Sequence, residues 1–147
     1  MEFEFFTPQK RLNEKQQKEV TDFLFKHLDE FGDDYQAITK SLIFAMDEKV
    51  KFGGCVLVSR ENDKITGAVV INKTGMSGYI PENILVYIAV HKDYRGKGLG
   101  KELMLKIFDL VDGQIKLHVE HNNPARFLYE KLGFTSKYLE MRYPNKK

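Results

Sequence analysis

Cysteine occurs once, at Cys55, so the chain closes no internal disulfide. No Cys/His cluster has the spacing of a zinc site, and no metal is expected. The longest apolar run, Ile84–Val90, has seven residues, whereas a membrane-spanning helix needs about 20. Neither a membrane span nor a membrane partner is expected. The opening MEFEFFTPQK has acids where a secretory leader has bases, and no small-residue cleavage site. A lone thiol without a leader points to a reducing cytoplasm. The net charge is only +2 over 147 residues, too small to call for nucleic acid. Repeats and low-complexity linkers are missing too. One domain over 1–147 is expected, large enough to bury a core of its own.

Charge is present but unevenly spread. Residues 1–50 carry 7 Lys/Arg against 11 Asp/Glu, and residues 91–147 carry 12 against 7. An acidic first third and a basic last third suit two differently charged ligands. The apolar spacing predicts a strand over 2–6 and a helix over 13–31, with Asn13 and Gln16 as its capping box and Gly32 as its stop. A second helix follows Asp34. Cys55–Ser59 and Ile65–Ile71 read as a hairpin around Glu61-Asn62-Asp63, and Gly67 hints at a bulge. Residues 74–83 form a loop, and Ile84–Val90 reads as a buried strand. A helix follows from Leu99, then a strand over Ile115–Glu120, a short helix from Asn123-Pro124 to Leu132, and a last strand over Phe134–Tyr143. A strand–helix–strand unit over 84–120 requires a parallel pair in an otherwise antiparallel sheet.

Three of the eleven glycines fall within five residues, in Arg95-Gly96-Lys97-Gly98-Leu99-Gly100-Lys101. They follow the buried strand and open a helix. Free N–H groups at a helix start, with the helix dipole behind them, attract phosphate, and glycine lets the backbone come close. Arg95, Lys97 and Lys101 add positive charge. A pyrophosphate is the natural guest. No window supplies the Walker A spacing. A dinucleotide fingerprint would need glycine where Lys101 stands, although Glu120 lies about 20 residues on, where a ribose-binding acid belongs.

Arg95-x-x-Gly98-x-Gly100 matches another signature. The stretch Ile88–Gly100 resembles the strand and pyrophosphate loop of the GNAT N-acetyltransferase superfamily, and Asn122–Phe134 resembles that family's second motif. The resemblance implies an α/β (α+β) fold: a mixed, mostly antiparallel twisted sheet of six to seven strands, flanked by about four helices, with a parallel pair splayed to hold acetyl-CoA. It implies that backbone groups of Ile88, Ala89 and Val90 pair with the pantetheine arm and that Arg95, Gly96, Lys97, Gly98, Leu99, Gly100 and Lys101 hold the pyrophosphate. The family's helix-start Asn corresponds to Asn122 or Asn123. Tyr129 stands where the family has a tyrosine that donates a proton to the leaving thiolate. The implied partners are acetyl-CoA and an amine acceptor, in a monomer or homodimer.

An amine with a pKa near 10 is protonated at pH 7 and must lose a proton before it attacks. Many relatives carry a carboxylate on the strand before the loop, but Ile84-Leu85-Val86-Tyr87-Ile88-Ala89-Val90 has none. Glu82, Glu120, His118 and His121 are the candidate bases. Cys55, in an apolar strand with no nearby His, reads as core. Asp29, Glu30, Asp33 and Asp34 form an acidic run between the first two helices, and the expected acceptor is therefore cationic. The missing carboxylate keeps open a non-catalytic acyl-CoA-binding regulator. A nucleotide-binding oxidoreductase is the second rival.

Overall fold

A computed structural model describes residues 1–147. The elements are β1 (Glu2–Phe6), α1 (Glu14–His27), α2 (Tyr35–Met46), β2 (Gly54–Glu61), β3 (Lys64–Lys73), β4 (Asn83–Val90), α3 (Leu99–Leu110), β5 (Ile115–Leu117) and α4 (Ala125–Lys131). Short 3-10 turns lie at Asp29–Phe31 and Lys92–Tyr94. Two compact units result, Met1–Leu117 and His118–Lys147.

In the first unit the five strands form one sheet in chain order. Every junction is antiparallel except the last, where β4 and β5 run parallel. The α+β class and the parallel pair are those expected. Val20, Phe23 and Leu24 of α1 and Ile38, Leu42 and Ala45 of α2 pack with Val56, Val58, Ala68, Val70, Tyr87 and Ala89 on one face of the sheet. On the other face α3 comes so close at Gly67 that a Cβ there would sit 2.6 Å from Leu103 Cδ1. Local chemistry explains the connections. Asn13 and Gln16 form the full capping box of α1, and the Asp34 side chain caps α2 through the Ala37 N–H. Asn62 and Asp63 both take positive φ, 52° and 66°, as a two-residue hairpin loop requires. The register of β2 and β3 slips beside Gly67, between Ser59 and Arg60.

Four expectations need correction. The first helix stops at His27, not near Gly32, because Asp29 enters the left-handed region at φ 53° and breaks the helical repeat. Gly32 itself is extended at φ −96°. The sheet has five strands rather than six or seven, and β5 spans Ile115–Leu117 rather than reaching Glu120. No strand forms over 134–143. Its would-be inward side chains remain open to solvent, Leu139 at 90% and Met141 at 88% exposure, and a strand without a partner has no ladder to hold it. In the second unit α4 is the one regular element.

Candidate active site

The site starts with a strand that loses its neighbour. β5 pairs with β4 only at Asn83, Ile84 and Leu85. The Asn83 amide group ties this short contact down by donating to the carbonyls of Asp112 and Gln114. Beyond Leu85, β4 continues alone on that side. On its other side it pairs with β3, but the register jumps from Leu85 opposite Ile71 to Tyr87 opposite Val70, so Val86 is an extra, bulged residue. The His91 N–H donates to the Thr66 carbonyl at 2.8 Å. Antiparallel alternation then turns the backbone groups of Tyr87 and Ala89 toward β3 and those of Ile88 and Val90 away from it. The Ile88 N–H and C=O and the Val90 N–H therefore line an edge without a partner strand. The Val90 carbonyl accepts from Arg95 Nε at 3.1 Å.

That edge leads into the glycine loop. Gly96 and Gly98 have φ of 77° and 82°, and a Cβ at either would meet nothing within 4 Å. The space over the loop is open, and the backbone conformation is one that glycine adopts at little cost. Gly98 caps α3 with its carbonyl, accepting from the Glu102 N–H, and has no side chain to cover the helix start. The first N–H groups of α3 face outward with the positive end of the helix dipole. Lys97 and Lys101 are exposed beside them, with Lys97 Nζ 5.6 Å from the Tyr94 ring centre.

Arg95 does more than add charge. Its Nη2 donates to the His27 carbonyl at 2.7 Å, and the guanidinium lies 3.5 Å from Asp29. The C-terminal end of α1 thus braces the base of the loop. The buried His27 ring stacks between Phe23 and His91, with centroids 4.7 and 4.3 Å away, and its Nδ1 accepts from the Lys92 N–H. Burial, with His91, Lys26 and Arg95 nearby, lowers its pKa to about 4. Sequence reading missed this brace, because an isolated His on a helix gives no sign of what it packs against.

One consequence is a stability change with pH. His27 is neutral in both states above about pH 6.5. As the pH falls from there toward 4, the unfolded chain takes a proton that the folded one refuses, so stability declines through that window. One such proton gives a slope of at most about 1.4 kcal/mol per pH unit. Melting temperatures between pH 7 and 5 should fall in the wild type and fall less in His27→Phe, which keeps the ring stack. Equal slopes would remove His27 as the cause.

Tyr129 lies in the second unit and is set by the end of α4. The Phe134 N–H donates to the Tyr129 carbonyl at 3.0 Å and the Gly133 N–H to the Glu130 carbonyl at 3.1 Å, with Gly133 at φ 105°. This is a Schellman ending, and Phe134 meets the Tyr129 ring as its apolar contact, 5.9 Å between centroids. Burial raises the Tyr129 phenol to about 12, so its proton stays in place at neutral pH. At the start of α4, the Asn123 Oδ1 accepts from the Ala125 N–H at 2.9 Å, whereas Asn122 is exposed.

A family model described as an acetyltransferase (GNAT) domain matches residues 52–136. The chain belongs to the GNAT acetyltransferase family. Over 87 residues it is 36% identical to the Haemophilus influenzae [ribosomal protein bS18]-alanine N-acetyltransferase, covering 56% of each chain. Over 82 residues it is 30% identical to the Schizosaccharomyces pombe N-alpha-acetyltransferase 30, covering 52% of this chain and 55% of that one. The chain thus spans about half the length of the curated relatives it matches. A GNAT acetyltransferase from Streptococcus pneumoniae TIGR4 has the same fold at a TM-score of 0.70, with 14% identity and 99% and 98% of the two chains covered.

The other candidates take varied positions. Glu82 Oε1 accepts from the Gln114 N–H at 2.8 Å, and backbone donors lower its pKa. It precedes the paired end of β4, at the opposite end from Val90. His118, Glu120 and His121 are exposed. Cys55 is buried, which pushes its thiol up to about 12 and suits a core residue. No helix is long and apolar enough to cross a membrane, and no group of His, Cys, Asp and Glu could hold a metal.

Proposed function

We propose that this GNAT protein transfers the acetyl group of acetyl-CoA to a primary amine of a peptide or small molecule by direct attack. The observation that carries the reading is the free edge of β4 running into the open loop. Unpaired groups at Ile88 and Val90 are followed by positive-φ glycines and the bare start of α3. Ile88 and Val90 would hold the pantetheine arm as an added strand, with Ala89 fixing that stretch to β3. Gly96, Lys97, Gly98, Leu99, Gly100 and Lys101 would hold the pyrophosphate, and Arg95 would keep the loop in shape. Asn122 and Asn123 are assigned to the same cosubstrate. Acetyl-CoA supplies an acetyl group activated as a thioester.

The residues' own parts follow from their chemistry. The Ile88 N–H would polarise the thioester carbonyl. Tyr129 holds its proton at neutral pH and donates toward the departing sulfur. Its burial makes it a donor and not a base. The acceptor is a cationic amine. One relative is named for acetylating an alanine of a ribosomal protein, which makes an alanyl peptide the first acceptor to try. The protein acts in the cytoplasm, as a monomer or homodimer.

Release of free thiol from acetyl-CoA, measured with alanyl peptides, polyamines and aminoglycosides, tests the reading. Turnover with one class of amine is the expected result. Tight acetyl-CoA binding without turnover across the panel would instead identify a non-catalytic acyl-CoA-binding regulator, the reading that the acid-free β4 favours.

A further inference from the structure

The run Ile84–Val90 contains one side chain able to hydrogen-bond, Tyr87. It is the first residue of β4 to rejoin β3 after the Val86 bulge, two residues past the last contact with β5. Its ring is buried on the face covered by α1 and α2. Its hydroxyl reaches the connection between those helices and donates to Asp33 Oδ2 at 2.5 Å. Burial first, and this bond second, raise the phenol well above its ordinary value, so it remains the donor at any assay pH.

The structure separates Asp33 from the other acids of its run. Asp29 lies against Arg95, and Asp34 caps α2. Neither is bonded to β4. Asp33 is, and its residue is exposed, so the carboxylate keeps lone pairs open to a second donor. A strand without an acid has thus been given one by a loop 54 positions earlier in the chain. It is delivered on the helix-covered side of β4, at the height where β5 departs. An ammonium group is the donor that fits an oriented, accessible carboxylate, and a charge-assisted bond there would hold it beside the open edge of β4.

We infer that Asp33, oriented by the Tyr87 hydroxyl, receives the acceptor's ammonium group and sets the preference for a cationic primary amine. The inference rests on the acetyl-transfer reading above. Tyr87 acts through Asp33 and is a positioning residue.

Steady-state kinetics with saturating acetyl-CoA test it, using an unblocked alanyl tetrapeptide and spermidine as acceptors. For whichever is turned over, Asp33→Asn should raise the acceptor KM by about tenfold or more. The acetyl-CoA KM should stay within about twofold. Tyr87→Phe should shift the acceptor KM in the same direction by a smaller factor, and Asp33→Glu should recover part of the loss. A role confined to packing would lower the melting temperature of Tyr87→Phe and leave its acceptor KM alone. An unchanged acceptor KM in Asp33→Asn overturns the inference, and so does an equal rise in both KM values. If wild-type protein binds acetyl-CoA but acetylates no amine of the panel above, aminoglycosides included, the acetyl-transfer reading falls, and this inference falls with it; if only an aminoglycoside is turned over, it serves as the acceptor in the same comparison.

Discussion

Replacing Tyr129 with phenylalanine should lower kcat by roughly 10²–10⁴ while leaving acetyl-CoA affinity almost unchanged. The substitution removes one oxygen and keeps the ring that packs on Phe134. The helix ending that fixes the residue is made by backbone atoms, so it survives the change. Only proton donation is lost. With the phenol raised to about 12, the wild-type hydroxyl is protonated across the whole working range and contributes as a donor throughout. The pH–rate profile of the wild type should therefore lack a descending limb from Tyr129 below about pH 11. Pre-steady-state acetyl transfer gives the chemical step directly. Full kcat in Tyr129→Phe, measured where chemistry limits the rate, would leave the residue as core packing.

The second large effect is expected at Gly98. A valine there must adopt φ near +82°, which a β-branched residue resists, and its side chain fills the open space over the start of α3. Acetyl-CoA affinity should weaken by at least tenfold, about 1.4 kcal/mol. Strain and obstruction can be told apart. Gly78, at φ 79° in the loop before β4, also has nothing within 4 Å of its Cβ position. Gly78→Val carries a comparable backbone penalty away from the loop. It should lower the melting temperature and leave acetyl-CoA affinity intact. Calorimetry showing unchanged affinity in folded Gly98→Val would move the pyrophosphate site elsewhere.

Much of this arrangement was legible from residue order. Capping residues, turn residues and apolar period gave Asn13, Asp34, the Asn62-Asp63 turn and the glycine loop their places, because each is decided by chemistry within a few positions. What failed was decided over longer distances. The end of α1 depends on Asp29 adopting a left-handed conformation, which aspartate tolerates but does not require. Phe134–Tyr143 has a strand-like composition but no ladder. The Arg95 brace joins residues 68 apart, and the Tyr87–Asp33 bond joins residues 54 apart. Periodicity has no reach at that range. Tyr87 did leave one trace, a hydroxyl amid aliphatic neighbours, which asks for a partner without naming it.

The alternating backbone of β4 should also be visible in solvent exchange. Tyr87, Ala89 and His91 direct their amides into β3, whereas Ile88 and Val90 direct theirs to the open side. Amide deuterium uptake follows local opening, and an amide without an acceptor needs no opening event to exchange. Within one continuous strand, neighbouring residues should therefore exchange at rates far apart, slow and fast by turns. The Val86 bulge sets the phase of the alternation in the residue count. Leu85 and Tyr87 already face consecutive residues of β3, so deleting Val86 would remove the bulge and keep the same slow and fast positions on both sides of the deletion. A residue-resolved exchange profile of the free protein would read this phase directly, and uniform protection from Tyr87 to His91 would show that the edge is covered.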